Sequence, residues 1–177
     1  NANDAPTFTS TPITTVNEDA TYTYNITTAD PDAGDSRIIS ALSKPDWLTL
    51  TDNNDGTAAL TGVPLNQHVG AASVVLAVTD ALGAANNQSF SITVANTNDA
   101  PAFTSAPVTA ALQDIAYTYN ITTSDPDAGD SRVISVVNKP AWLNNFTDNG
   151  NGTATLSGTP SNGDLGLNPV TLQVTDL

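Results

Sequence analysis

The sequence predicts an all-β chain built as two tandem Greek-key sandwiches, the second without a counterpart of the first one's last strand. Three observations carry this. The chain repeats itself along nearly its whole length, its apolar residues alternate with polar ones at a period of two, and turn-forming clusters separate the alternating runs.

The repeat comes first because it sets the organisation. Asn3-Asp4-Ala5-Pro6 returns as Asn98-Asp99-Ala100-Pro101, so that Asp4 to Asp99 is a step of 95. Tyr22-Thr23-Tyr24-Asn25-Ile26-Thr27-Thr28 returns as Tyr117-Thr118-Tyr119-Asn120-Ile121-Thr122-Thr123. Asp30-Pro31-Asp32-Ala33-Gly34-Asp35-Ser36-Arg37 returns as Asp125-Pro126-Asp127-Ala128-Gly129-Asp130-Ser131-Arg132. Past the tryptophan one residue is inserted near Asn144 to Phe146, and Asp52 to Asp148 is a step of 96. That register holds to Val174-Thr175-Asp176, the counterpart of Val78-Thr79-Asp80. Residues 1–97 form one module and 98–177 a second.

Within a module the elements are strands. In the first they are expected near 7–16, 20–28, 37–43, 47–51, 57–61, 73–79 and 88–95. Tyr22, Tyr24 and Ile26 alternate with Thr and Asn, as do Val74, Leu76 and Val78, and then Phe90, Ile92 and Val94. Asp52-Asn53-Asn54-Asp55-Gly56 and Asp148-Asn149-Gly150-Asn151-Gly152 supply residues that tolerate positive φ. Seven short strands in about 95 residues have the rhythm of an immunoglobulin-like sandwich. The second module carries six of them and nothing matching Phe90, Ile92 and Val94, which predicts an open apolar edge on its sixth strand. Chain beyond residue 177, or a neighbouring molecule, is expected to cover it.

Composition narrows the function. The net charge is -14, with four basic residues and a single glutamate, Glu18. Such a field repels polyphosphate and anionic lipid, so nucleic acid is excluded as a partner. There is no cysteine, hence neither disulfide nor thiolate chemistry. No apolar run of about 18 residues is present, which argues against direct membrane insertion. The chain reads as a piece of a larger secreted or cell-surface protein.

Asp-rich loops favour a hard divalent cation, because calcium takes about six to eight oxygen ligands from short carboxylates and carbonyls. Greek-key order brings the end of the second strand, the end of the sixth and the start of the first to one pole. In the second module that pole collects Asp125, Asp127, Asp130, Asp176, Asn98, Asp99 and the carbonyl of Ala100. In the first it collects Asp30, Asp32, Asp35, Asp80, Asn3, Asp4 and Ala5. Glu18 and Asp19 belong to the opposite pole of the first module, where an ion would bridge linker and both modules. The plain alternative is that 30–36 and 125–131 are turns and nothing more.

Asp-Pro-Asp-Ala-Gly-Asp after the second strand, Val-Thr-Asp closing the sixth and Asn-Thr-Asn-Asp-Ala-Pro at 96–101 together resemble the cadherin and cadherin-like repeats. Lys-Pro-x-Trp-Leu at 44–48 and 139–143, followed by Gly-x-Pro, resembles the dystroglycan-type subclass and the Ig repeats of bacterial surface proteins. The resemblance implies calcium between successive modules, adhesion or spacing outside the cell and, for some bacterial members, polysaccharide binding. Leu60-Thr61-Gly62 and Leu156-Ser157-Gly158 stand where the family has an Asp-Arg-Glu-like motif, and Gln113 stands opposite Glu18, so one or two ions are expected rather than three.

Trp47 and Trp142 have two readings, a platform for stacking sugar rings or a filler of the sandwich core, and the core reading is preferred. His68, opposite Asp164 in the repeat, reads as a solvent-exposed loop residue. Arg37, Lys44, Arg132 and Lys139 fall at equivalent positions and suggest structural salt bridges or edge protection. With one His, one Glu and no Cys, no nucleophile and base can be paired, and no enzyme is expected. The expectation is a calcium-binding adhesion or spacer tandem. Two alternatives stay open, a carbohydrate-binding module and calcium-dependent self-association of identical modules.

Overall fold

The computed structural model describes residues 2–32 and 34–176. The chain divides into two units, Asn1–Thr97 and Asn98–Leu177.

The first unit holds β1 (Thr7–Phe8), β2 (Thr15–Asn17), β3 (Tyr22–Ala29), β4 (Arg37–Ser43), β5 (Leu48–Asp52), β6 (Thr57–Gly62), β7 (Gly70–Asp80) and β8 (Ala85–Ala95). They form two four-stranded sheets, β1-β3-β6-β5 and β2-β8-β7-β4. The period of two decides which face of each strand is buried. Along β3 the rings of Tyr22 and Tyr24 and the side chain of Ile26 point inward, while Thr23, Asn25 and Thr27 are exposed. Tyr24 lies opposite Leu60 and Ile26 opposite Ala58 on β6. From the facing sheet Ile39, Val74, Leu76, Val78 and Ile92 complete the core. Each large apolar side chain buried this way stabilises the fold by about 1.5–3 kcal/mol.

One expected element needs correction. The first strand does not run unbroken from 7 to 16. It pairs with β3 as β1, leaves that sheet, and rejoins the other as β2, parallel to β8. Pro12 sits in the crossing segment and has no N–H to offer a ladder. The carbonyls freed there are satisfied by side chains. Tyr22 Oη donates to the Ile13 carbonyl at 2.8 Å, and Tyr24 Oη to that of Ser10 at 3.1 Å. The last two strands are also longer than their apolar cores suggested, since β7 and β8 pair from Gly70↔Val94 to Thr79↔Ala85.

The second unit repeats this with β9 (Ala102–Phe103), β10 (Tyr117–Ser124), β11 (Val133–Asn138), β12 (Asn145–Asp148), β13 (Thr153–Gly158) and β14 (Thr171–Thr175). Its sheets are β9-β10-β13-β12 and the pair β11-β14. The core is smaller, built from Tyr119, Ile121, Ile134, Leu143, Ala154 and Leu156. Even irregularities recur. The β4–β7 ladder shifts register between Ala41 and Ser43, and the β11–β14 ladder between Val136 and Asn138, the equivalent positions. Among the described residues nothing corresponds to β2 or β8. Among the described residues no helix is long and apolar enough to cross a membrane.

Candidate metal centre

The loop from β3 to β4 folds on its own carboxylates. Asp30 Oδ1 accepts the Asp32 N–H at 2.8 Å, the Asx turn that Asp-Pro-Asp favours, and Asp35 N–H reaches the Asp32 carbonyl at 3.3 Å. The N-terminal segment docks on the same loop, because Asp32 Oδ2 accepts the Asp4 N–H at 2.8 Å. From the end of β7, Asp80 Oδ2 accepts Asn3 Nδ2 at 2.9 Å. Asp80 Oδ1 takes the N–H groups of Leu82 and Ala84, each at 2.9 Å, and so holds the turn into β8. Asp30, Asp35 and Asp80 each present a carboxylate oxygen, all within 4.8 Å of one another.

The second unit repeats the arrangement. Asp125 Oδ1 accepts the Asp127 N–H at 2.9 Å, Asp127 Oδ2 accepts the Asp99 N–H at 2.6 Å, and Asp176 Oδ2 accepts Asn98 Nδ2 at 3.1 Å. Here Asp125, Asp127 and Asp130 bring carboxylate oxygens within 4.8 Å of one another. Ala100 is exposed, between Asp99 and Pro101.

Two features set these loops apart from ordinary turns. Asp30 Oδ2 and Asp125 Oδ2 are buried atoms with no hydrogen-bond partner, at matching positions of the two units. A buried carboxylate oxygen without a donor is costly, and costlier beside two further carboxylates. Secondly, burial pushes the Asp80 carboxyl up, yet the Asn3 amide and the Leu82, Gly83 and Ala84 N–H groups more than offset it and hold it below the ordinary value. Asp80 therefore stays ionised beside its neighbours. Glu18, in the first unit, is 2% exposed; its Oε1 accepts the Thr97 N–H at 2.6 Å while Oε2 is buried and without a hydrogen-bond partner.

The remaining sequence candidates fall elsewhere. Trp47 and Trp142 are half-buried and pack on the rims of the two cores, edge-on to Tyr22 at 5.9 Å and to Tyr117 at 5.6 Å. His68 is not a solvent-exposed loop residue. It lies in a short 3-10 turn, Asn66–His68, where Nδ1 accepts the Leu65 N–H at 2.8 Å and the ring packs at 6.3 Å from that of Trp47. Asp164 takes the same part in the second unit, accepting from Ser161 N–H and Oγ. Of the two expectations for the cations, salt bridges or edge protection, no direct Arg or Lys salt bridge is found among the described residues. Arg37 Nε donates to Thr28 Oγ1 at 3.1 Å, and Lys44 and Lys139 donate to the Leu48 and Leu143 carbonyls. His68 Nε2 lies 3.4 Å from Asp46 Oδ1.

Sequence reading treated Asp52 and Asp148 as turn residues. Their carboxylates in fact cross between sheets to accept the Ile39 and Ile134 N–H groups, at 3.1 and 2.9 Å. The signal available was their recurrence at the end of the same strand.

Residues 5–95 match the family described as Putative Ig domain, and the chain belongs to that family. Among solved structures, PcdhgB3 EC1–4 is similar over 97% of this chain and 45% of its own, with 17% identity and a TM-score of 0.68. Protocadherin Gamma B2 extracellular cadherin domains 1–5 is similar over 99% of this chain and 38% of its own, with 20% identity and a TM-score of 0.61. An endo-fucoidan hydrolase from glycoside hydrolase family 107 shares 26% identity over 97% of this chain and 28% of its own, with a TM-score of 0.48. The chain thus spans less than half of each of these. No curated protein matches it. The fold is that of Ig-like and cadherin-like sandwiches.

Proposed function

We propose that this chain is a calcium-binding tandem of Ig-like modules of a secreted or cell-surface protein, serving adhesion or spacing. The observation that carries the reading is the pair of buried, donorless oxygens, Asp30 Oδ2 and Asp125 Oδ2, each in a group of three converging carboxylates. Protein donors could have satisfied these atoms; a divalent cation satisfies them and removes the mutual repulsion at once. The donor set is all oxygen, which suits calcium over the softer transition metals.

Asp30, Asp32, Asp35 and Asp80, with Asn3 and Asp4, would hold an ion in the first module. Asp125, Asp127, Asp130 and Asp176, with Asn98, Asp99 and the Ala100 carbonyl, would do so in the second. Glu18 Oε2 is a further ligand on the same argument. The motifs at 44–48 and 139–143 favour the dystroglycan-type subclass of cadherin-like repeats.

Titration of calcium into chelator-treated protein tests this. Asp30→Asn and Asp125→Asn keep the size of the side chain and the Oδ1 acceptor but remove the charge. Saturable binding that each substitution weakens supports the reading; absence of heat, or binding indifferent to both, reduces the loops to solvated turns.

A further inference from the structure

One corner of the repeat changes its chemistry and keeps its shape. At the tip of the β5–β6 hairpin, Asp55 Oδ1 accepts the Thr57 N–H at 2.9 Å and the Thr57 hydroxyl at 2.6 Å, which closes a tight turn over Gly56. At the tip of the β12–β13 hairpin the same turn is built on an amide. Asn151 Oδ1 accepts the Thr153 N–H at 3.1 Å and the Thr153 hydroxyl at 2.7 Å. This second turn is also held from outside. Gly152 has a φ of 78°, an added Cβ there would meet the Arg132 guanidinium, and the Gly152 carbonyl accepts the N–H and the hydroxyl of Thr123 at 2.9 and 2.8 Å. Asn151 is exposed, and its Nδ2 makes no hydrogen bond among the described residues.

Asn151-Gly152-Thr153 is one of five Asn-x-Ser/Thr triplets in the chain, the others beginning at Asn25, Asn87, Asn120 and Asn145. Such a triplet on the surface of an exported protein is an acceptor for an N-linked glycan. The pattern alone decides nothing, since a chain this rich in Thr forms it by chance. The fold separates the five. Asn25, Asn87 and Asn120 lie within β3, β8 and β10 and are paired there in ladders. The hydroxyls two residues after Asn25 and Asn120 are also engaged. Thr27 N–H donates to Ser10 Oγ and the Thr27 hydroxyl pairs with that of Thr9, and Thr122 repeats both contacts with Ser105 and Thr104. Asn145 is paired within β12, and its Nδ2 donates to Asn144 Oδ1 at 2.9 Å. Of the five, Asn151 alone stands outside the ladders and brings an uncommitted amide nitrogen beside the hydroxyl two residues on.

We propose that Asn151 is the acceptor of an N-linked glycan, transferred to the folded second unit from a glycan carried on a membrane polyprenyl diphosphate. A donor of this kind is available to an exported chain, so the proposal rests on the secreted or cell-surface reading. In the transfer Asn151 Nδ2 attacks the anomeric carbon of the sugar. The new N–C bond forms as the bond from that carbon to the diphosphate oxygen breaks, the diphosphate leaves with the electron pair, and Nδ2 gives up one proton to a base of the transferase. Two donors on Oδ1 draw charge onto that oxygen and make Nδ2–H more acidic, which eases the loss of the proton. A turn already formed also removes the entropy cost of ordering the acceptor. Asp55 makes the same turn but has no nitrogen to offer, so the first unit is not modified at that corner. The glycan stands beside β12, an edge strand, and shields it from pairing with another chain.

The test exposes the folded 177-residue chain to a single-subunit oligosaccharyltransferase that accepts Asn-x-Ser/Thr, with a dolichyl-diphosphate glycan as donor, and maps all five sites by glycopeptide mass spectrometry. Short peptides carrying each triplet, assayed alongside, report what the enzyme does without the fold. The proposal expects occupancy at Asn151 of the folded chain about tenfold or more above that at each other site, with a much smaller spread among the peptides. Asn151→Gln and Thr153→Ala should abolish it and leave the other sites unchanged, with melting curves to confirm that both variants fold. Asp55→Asn, which puts an amide into the same turn, should add transfer at position 55. The proposal is overturned if Asn151 of the folded chain stays unmodified, whether or not its peptide reacts. It is equally overturned if Asn25, Asn87, Asn120 or Asn145 of the folded chain is modified to the same degree, or if Asp55→Asn gains no glycan. Calcium titration of the unmodified chain reads the proposed function separately, so each can fail without the other.

Discussion

Tyr22 shows how much a single residue settles in this fold. Its ring is 2% exposed in a strand whose outward side is Thr and Asn, and its hydroxyl donates to the Ile13 carbonyl in a segment that has left the sheet. Burial, with a smaller contribution from Tyr24, pushes its pKa from 10.0 to about 12. A folded-state value raised above the unfolded one means stability that is complete below pH 10.0 and lost as pH rises through about 12. Tyr22→Phe should cost about 1 kcal/mol at neutral pH through the lost hydrogen bond, and should flatten the loss of stability in that alkaline window; urea unfolding at a series of pH values reads both. Asp80 has the opposite sign. Its folded value lies below the ordinary 3.8, so its contribution is present above that pH and fades as pH falls through the lower folded value. Asp80→Ala should lower the melting temperature at pH 7 and leave a shallower acid limb than the wild type, whereas parallel acid limbs would show that Asp80 does not carry the linkage.

At the scale of elements, the pairing of β5 with β6 depends on a glycine. Leu48 faces Gly62, which brings the Trp47 carbonyl over the glycine so closely that an added Cβ would collide with it. Gly158 stands in the same relation to the Trp142 carbonyl. Gly62→Ala and Gly158→Ala should each destabilise their own module by about 1–3 kcal/mol, because backbone cannot move aside as a side chain tip does; chemical denaturation of each variant checks this. Both glycines look, in the sequence, like corner punctuation before a proline. The alternating strands were legible because a period of two decides which side chains are inside, and β3, β7 and β8 keep that period. The break of the first strand was not, since nothing local records that Tyr22 and Tyr24 hydroxyls from another strand will satisfy the carbonyls of the crossing segment. The acidic loops were legible as clusters, but the orphaned Asp30 and Asp125 oxygens depend on tertiary burial that no spacing encodes.

For the molecule as a whole, two units with separate cores should unfold in two steps. The second unit buries fewer large side chains, so its transition should come first on heating, and Gly158→Ala should move that transition alone. With a net charge of -14 and Asp-rich loops in both units, the proposed function implies that metal stabilises each of them. The most direct test of that claim is thermal unfolding of the chain in chelator and in millimolar calcium, beside the Asp30→Asn, Asp125→Asn double variant. The account predicts that calcium raises both transitions of the wild type, that magnesium at equal concentration does so less, and that the double variant loses the gain. Transitions that stay where they are when calcium is added would contradict it, and would leave Asp30, Asp35 and Asp80 with Asp125, Asp127 and Asp130 as unliganded turns.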